Sequence, residues 1–140
     1  MKRICALLVA IMVLVSGFGA AYAADTSYRA SLTLSRYIAE LFPGDRSGEI
    51  IVSYDVKASL RADSVGVESI TFYTSDGDYV TTVTGTTGNG LVKTNSSGHS
   101  DDFVKSLPSG EYYYAEVTIF AEIGSDYDSR TVTTSTVWVR

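Results

Sequence analysis

The feature that most constrains the fold is a strict alternation of apolar and mostly polar residues between positions 49 and 60. Every second residue in this stretch is apolar: Ile50, Val52, Tyr54, Val56, Ala58 and Leu60. Successive side chains of a β-strand point to opposite faces, so this spacing places all of them on one face. A helix would scatter the same residues around its circumference. The pattern therefore predicts a long, half-buried strand.

The rest of the chain carries further signals of β-structure. Residues 67–85 predict a hairpin, because Asp76-Gly77 separates two runs rich in aromatic and branched residues. Residues 84–98 are rich in Gly, Thr and Asn, which predicts a loop with at most a short strand at 91–93. Three more strands are predicted within residues 100–105, 111–122 and 129–139, the last two joined by a polar turn over 123–129.

Residues 28–42 fit two patterns. Four of them recur at helical spacing before Pro43-Gly44, which would end a helix: Leu34, Tyr37, Ile38 and Leu41. The alternating Leu32 and Leu34, together with the surrounding β-structure, favour a first strand instead. We prefer the strand and leave the helix open. Counted together, the signals indicate about seven strands, the pattern of an all-β antiparallel sandwich.

The N-terminus has the features of a secretory signal peptide. Two basic residues precede a mostly apolar run over residues 4–18, and Ala21-Tyr22-Ala23 is a small-x-small cleavage site. The apolar run is too short for a permanent membrane span. We therefore expect residues 1–23 to be removed and residues 24–140 to form one domain, secreted or associated with the cell envelope.

Cysteine content and charge exclude several classes of protein. The single cysteine, Cys5, lies in the predicted signal peptide, so the mature chain would depend on its apolar core rather than on disulfides. Removing residues 1–23 leaves nine basic against sixteen acidic residues, a net charge of −7. No basic cluster follows residue 23, which argues against nucleic-acid and anionic-membrane partners.

Residues 107–113 resemble the tyrosine corner of fibronectin type III and other immunoglobulin-like sandwiches. In that motif a tyrosine six residues after a leucine starts the penultimate strand, and its hydroxyl bonds back to the backbone of the corner. Leu107, Gly110 and Tyr113 stand at the matching positions. Pro108 departs from the commonest pattern, in which the proline comes one residue later. The resemblance implies an immunoglobulin-like (fibronectin type III-like) β-sandwich.

The chain is also similar to small secreted proteins of Gram-positive bacteria that carry an immunoglobulin-like domain and have no assigned role. The likeness rests on the signal peptide, on the Tyr-Tyr-Ala stretch and on residues 124–134. It implies a location and a fold. It implies no activity, because such sandwiches host many unrelated functions.

The resemblance also sorts the aromatic residues of the penultimate strand. If Tyr113 faces the core, alternation places Tyr112, Tyr114 and Phe120 on the opposite face, with Trp138 beside them on the last strand. Aromatic rings on an outer face can stack against sugars or anchor a protein partner. The alternative is that they pack across the sheet against their neighbours. These four residues are the candidate ligand-binding face.

Catalytic and metal chemistry find little support. His99 is the only histidine, and its neighbours Ser100 and Asp101 point to opposite sides in an extended chain, whereas a catalytic triad needs groups that converge. We therefore expect a histidine that is solvated or lies in a loop, and no enzymatic activity. One histidine and no mature cysteine cannot form a structural zinc site. A calcium ion could use one of three acid pairs, although two nearby carboxylates in a turn more often just form the turn: Asp76 and Asp78, Asp101 and Asp102, Asp126 and Asp128.

These observations lead to a functional expectation by elimination. The chain is expected to be a secreted, non-enzymatic binding or surface-interaction module without a cofactor or bound metal. Its ligand would be an unknown extracellular protein or glycan. An alternative is a passive envelope-associated or structural subunit that assembles through an exposed strand edge. A small extracellular hydrolase using His99 is a third hypothesis.

Overall fold

The computed structural model describes residues 33–140. The predicted signal peptide, its cleavage site and residues 24–32 lie outside the described residues. Seven strands follow one another: β1 (Leu34–Pro43), β2 (Glu49–Thr74), β3 (Tyr79–Thr84), β4 (Val92–Ser106), β5 (Glu111–Ile123), β6 (Asp126–Thr133) and β7 (Val137–Val139). All pairs are antiparallel and belong to one sheet. The prediction of an all-β antiparallel protein of about seven strands is confirmed.

The long strand β2 organises the sheet. Its first half pairs with β1 and with most of β4, and its second half pairs with the start of β4 and with β3 and β5. β5 also pairs with β6 and β7. The sheet curls along β2, and β1 comes to lie against β5, β6 and β7. We call β1, β4 and the first half of β2 the first layer, and the remaining strands the second layer.

One apolar core lies between the two layers. The alternation that predicted β2 is confirmed from Ile50 to Ala58, whose apolar side chains are almost fully buried. The second layer adds Phe72 and alternate residues of β5, such as Val117 and Ile119, which are fully buried. Burial of these side chains stabilises the fold through the hydrophobic effect, at roughly 1.5 to 3 kcal/mol for each large side chain.

Leu60 breaks the predicted alternation, since 67% of its side chain is exposed. The register between β2 and β4 shifts between Lys57 and Ala62, where β2 passes from one layer to the other. Residues at this crossing lie outside the regular ladder. Ala62, two positions later, is again buried. Alternation alone therefore could not show where the strand changes layers.

The strand prediction for residues 34–42 is confirmed by β1, while residues 28–32 of that segment are not described. The hairpin is also confirmed: β2 and β3 pair on either side of a turn in which Gly77 has φ +91°. The amide of Gly77 donates to the carbonyl of Thr74, closing the turn. A positive φ at this position is one that glycine adopts without steric cost.

Two parts of the predicted strand layout are wrong. Residues 92–106 form the single strand β4, because pairing with β2 supplies hydrogen bonds to a stretch whose composition suggests a loop. Residues 129–139 are divided between β6 and β7. Thr134 causes the break, since its amide and hydroxyl oxygen bond the backbone of Ala115 and its side chain is buried. In the described part of the chain, no helix is long and apolar enough to cross a membrane.

Candidate aromatic binding face

Tyr113 faces the core at the start of β5, with 2% of its surface exposed. Its hydroxyl donates a hydrogen bond of 2.9 Å to the carbonyl oxygen of Pro108. Leu107 is buried beneath this corner and Gly110 turns the chain with φ +83°. Burial raises the pKa of the Tyr113 hydroxyl, and the nearby charge of Glu111 adds to the shift. A hydrogen bond from Tyr113 to the corner is what the tyrosine-corner resemblance implies.

The structure places Tyr112 and Tyr114 on the face opposite Tyr113. Tyr112 is 49% exposed, and Tyr114 is partly buried. Trp138 lies opposite Tyr112 in the pairing of β5 with β7. The centroids of these two rings are 4.8 Å apart and their planes are inclined by 59°. Three of the four residues of the candidate face are therefore neighbours at one end of the second layer.

Two further tyrosines join them. Tyr73 of β2 pairs with Tyr114, and their rings stack with centroids 5.3 Å apart and an interplanar angle of 17°. Tyr79 of β3 pairs with Tyr73 in an edge-to-face contact of 6.3 Å. Together the rings cross four adjacent strands, and we call this set the aromatic row: Tyr79, Tyr73, Tyr114, Tyr112 and Trp138. Tyr73 and Tyr79 were missed from sequence, because only the register between β2, β3 and β5 reveals them.

The aromatic row is an uneven surface. Tyr73 and Tyr114 turn their faces toward each other, since coplanar rings side by side could not bring their centroids to 5.3 Å. One face of each ring is therefore covered by the other ring. Tyr79, at 63% exposed, and Trp138, at 46%, are the more open members at either end. Ring edges and inclined faces alternate along the row.

Phe120 does not belong to the aromatic row. It is on the predicted face of β5, but it is only 9% exposed because the ring of Tyr127 on β6 stacks over it at 5.9 Å. Six positions along β5 separate Phe120 from Tyr114, roughly 20 Å in an extended strand. Phe120 is therefore a packing residue, which corrects its place in the candidate face.

Glu116 and an acidic turn lie beside the aromatic row. Tyr73 donates a long hydrogen bond of 3.4 Å to Glu116, and the pKa of Tyr73 is raised by burial and then by the charge of Glu116. The turn that carries Asp76 and Asp78 approaches the other side, where a Cβ added to Gly77 would lie 4.0 Å from the hydroxyl of Tyr114. The amide of Ser75 fixes this turn to β5 by donating to the carbonyl of Tyr112.

His99 lies in β4 and not in a loop, which corrects the sequence prediction. Its Nε2 is 2.6 Å from the carbonyl oxygen of Gly90 and 2.9 Å from the hydroxyl of Tyr54, which also donates to Gly90. Burial raises the pKa of Tyr54 to about 12, with further contributions from Asp101 and Asp102. These bonds fasten the loop between β3 and β4 to the first layer.

The neighbours of His99 do not converge on it. Ser100 donates to the carboxylate of Asp55 at 2.6 Å, on the other face of β4. Of the acid pairs, Asp76 and Asp78 flank the turn beside the start of β5, whereas Asp126 pairs with Ile123 at its far end. Asp126 and Asp128 are in β6 rather than in a turn, and Asp128 accepts from Arg130 at 2.8 Å. Within residues 33–140, no group of three or more His, Cys, Asp or Glu side chains could hold a metal ion.

Comparisons with known proteins identify no family. No protein-family model matches the chain, and no curated protein matches it. Among solved structures, it is similar to the β-glucuronidase of Parabacteroides merdae, with 12% identity and a TM-score of 0.38. The match covers 71% of this chain and 13% of that enzyme. A likeness at this TM-score supports no conclusion about fold or activity.

Proposed function

We propose that this chain is an exported, non-enzymatic binding module that holds a protein partner on the aromatic row. The proposal includes an immunoglobulin-like arrangement of the two layers. A single observation carries it: Tyr79, Tyr112 and Trp138 stay 63%, 49% and 46% exposed within one row of rings. Elsewhere in the second layer Tyr127 is 53% exposed, and the other large apolar side chains are buried or partly buried in the core or, like Phe120, beneath a neighbouring ring.

Tyrosine and tryptophan are the side chains that contribute most to protein interfaces. They bring a large apolar area together with a polar atom, and they lose little conformational entropy on binding. The pairing of β2, β3, β5 and β7 fixes the backbone under the row. A partner would therefore meet a surface that needs little ordering, and each central ring removed should cost roughly 2 kcal/mol of binding free energy.

The geometry favours a protein over a glycan as the ligand. Stacking on a sugar ring requires an exposed, flat aromatic face, and the central pair Tyr73 and Tyr114 cover each other's faces. Neighbouring planes in the row are inclined by 59° and 78°. Rings at several angles, with hydroxyl groups among them, match the irregular surface of a folded protein or peptide.

A capture experiment with matched variants tests this function. The immobilised chain is incubated with surface proteins of the producing cell and with a glycan array. We expect proteins to be retained by the parent chain, and to be lost from a Tyr79→Ser/Tyr112→Ser double variant of unchanged melting temperature. Tyr37→Ser is the control, because Tyr37 is 44% exposed and lies on β1 in the first layer. Equal retention by all three chains would rule out the aromatic row as the binding site.

A second candidate function is assembly through an exposed strand edge. Among residues 33–140, β1 pairs only with β2, so the other edge of residues 35–43 has no described strand beside it and could receive one. Phe42, Ile51 and Val104 also form an apolar row across β1, β2 and β4, with Phe42 and Val104 about half exposed. Sedimentation as a single small species at high concentration would exclude this candidate.

A further inference from the structure

We infer that the partner of the aromatic row presents an arginine or lysine side chain to it. This inference rests on the proposed function and specifies the chemistry of its ligand. It comes from the carboxylates around the row, which have no cationic partner within the described chain. A partner with a basic group would supply the charge that is missing there.

One carboxylate contacts a ring of the row, and two more belong to the turn beside it. Glu116 is beside Tyr73 and accepts from its hydroxyl. Asp76 and Asp78 flank the glycine of the turn next to the hydroxyl of Tyr114. Glu116 is on the same face of β5 as Tyr114, two positions away, and Asp76 and Asp78 are exposed. Negative charge is therefore placed at Tyr73 and in the turn next to Tyr114.

None of the ion pairs of the described residues reaches the row. The ion pairs found in residues 33–140 join Arg36 to Asp55 and Arg130 to Asp128, and neither involves the row. Arg140 follows Trp138 by two positions, but its guanidinium donates to the carbonyl oxygens of Gly44 and Asp45. The carboxylates at the row are thus left for a ligand.

Aromatic rings and carboxylates together suit a cation better than a neutral group. A guanidinium can lie over the face of an exposed ring while it donates hydrogen bonds to a carboxylate or a tyrosine oxygen. Tyr112 and Trp138, inclined by 59°, offer two ring faces within one contact. An acidic or uncharged partner would leave the carboxylates desolvated and unpaired, which opposes binding.

The test uses the single tryptophan of the chain, Trp138, as its reporter. The full chain is titrated with a peptide of alternating arginine and serine, and with the same peptide carrying uncharged citrulline in place of arginine. We expect a saturable change in tryptophan emission with the arginine peptide. The citrulline peptide should bind with an affinity lower by a factor of about ten or more. High salt should weaken the first titration and not the second. No difference between the two peptides would overturn the inference.

Two variants separate this inference from the proposed function. Asp78→Asn/Glu116→Gln removes charge and keeps the rings, so it should lose the preference for arginine over citrulline. Glu40→Gln, an exposed carboxylate on β1, is the control and should keep it. If the citrulline peptide changes the emission as strongly as the arginine peptide does, the cationic partner is wrong while the row still binds a peptide. A further outcome concerns the Tyr79→Ser/Tyr112→Ser variant described above. If that variant loses all binding while Asp78→Asn/Glu116→Gln still prefers arginine, the cationic partner is wrong and the row remains the binding site.

Discussion

The ring of Tyr73 stacks on the ring of Tyr114 across the pairing of β2 with β5, at a centroid distance of 5.3 Å. This contact joins the hairpin of β2 and β3 to the strand that carries the exposed Tyr112. It also sets the direction of both rings, because each ring covers the face of the other. The pair is therefore the fixed centre of the aromatic row, between more exposed rings at its two ends.

The stacking should appear as a coupling between the two tyrosines. We expect the double variant Tyr73→Ala/Tyr114→Ala to lose less stability than the sum of the single variants, by about 0.5 to 1.5 kcal/mol. Urea denaturation of the four chains measures this difference. As a control, Tyr73 stacks on Tyr114 whereas Tyr127 stacks on Phe120. Alanine substitutions of Tyr73 and Tyr127 should therefore lower the stability additively. Additive losses for Tyr73 and Tyr114 would contradict the stacking.

Tyr113→Phe tests the hydrogen bond to Pro108. The variant keeps the buried ring and removes only the hydroxyl, so we expect the free energy of unfolding to fall by about 1 kcal/mol. Tyr112→Phe is the control. Removing its exposed hydroxyl should change the free energy of unfolding by less than about 0.5 kcal/mol. Equal effects of the two substitutions on the urea midpoint would show that the corner bond does not stabilise the domain.

Tyr54 should make the protein less stable at high pH. Its pKa is raised from 10.0 to about 12 in the folded chain, so the unfolded state loses its proton first as the pH rises. The contribution is fully present below pH 10 and is lost as the pH rises through about 12. We expect a loss on the order of 2 kcal/mol across that window, and a shallower decline in Tyr54→Phe. The measurement is the melting temperature of the parent chain and of Tyr54→Phe between these pH values. Equal declines in the two melting temperatures would contradict the role of Tyr54.

Gly66 is required where the loop between β3 and β4 crosses β2. It has φ +149°, and an added Cβ would collide with the carbonyl oxygen of Leu91, which accepts from the amide of Val67. We expect Gly66→Ala to lower the free energy of unfolding by about 2 kcal/mol or more. Gly88→Ala, whose Cβ would make an ordinary contact of 3.7 Å, should change it by less than about 0.5 kcal/mol. Similar urea midpoints for Gly66→Ala and Gly88→Ala would refute the collision with Leu91.

The predicted signal peptide can be checked by mass. If the chain is exported and cleaved after Ala23, the protein recovered outside the cytoplasm should begin at Ala24. Intact-mass analysis of the recovered protein shows this directly. Substituting Ala21 and Ala23 by larger residues should block cleavage, because the small-x-small pattern is what the signal peptidase accepts. An uncleaved parent chain would remove the basis for export in the proposed function.

Local patterns in the sequence were sufficient for part of the fold. Alternation predicted the burial of Ile50 to Ala58, and it placed Tyr113 and its outward neighbour Tyr112 on the correct sides of β5. The hairpin at Gly77 followed from turn chemistry alone. Each of these features depends on residues close together in sequence, where side-chain period and backbone preference act directly.

Features set by long-range pairing could not be predicted in the same way. β4 is extended through polar residues because β2 is beside it, and Leu60 is exposed because β2 changes layers there. The candidate site shows the same division. Phe120 shares the outer face with Tyr114, but Tyr127 from another strand covers it. Tyr73 and Tyr79 enter the site only through the register of three strands.

The passage of β2 through both layers has a consequence for how the chain folds. Its pairing partners extend from β1 to β5, so the ladder of β2 is not complete until residues up to Ile123 are available. Sheets built from such distant pairings fold slowly, in milliseconds to seconds, because much loop entropy is lost before the contacts form. The two layers should therefore gain their structure together and late in synthesis. Damage to any one partner of β2 would weaken the whole domain.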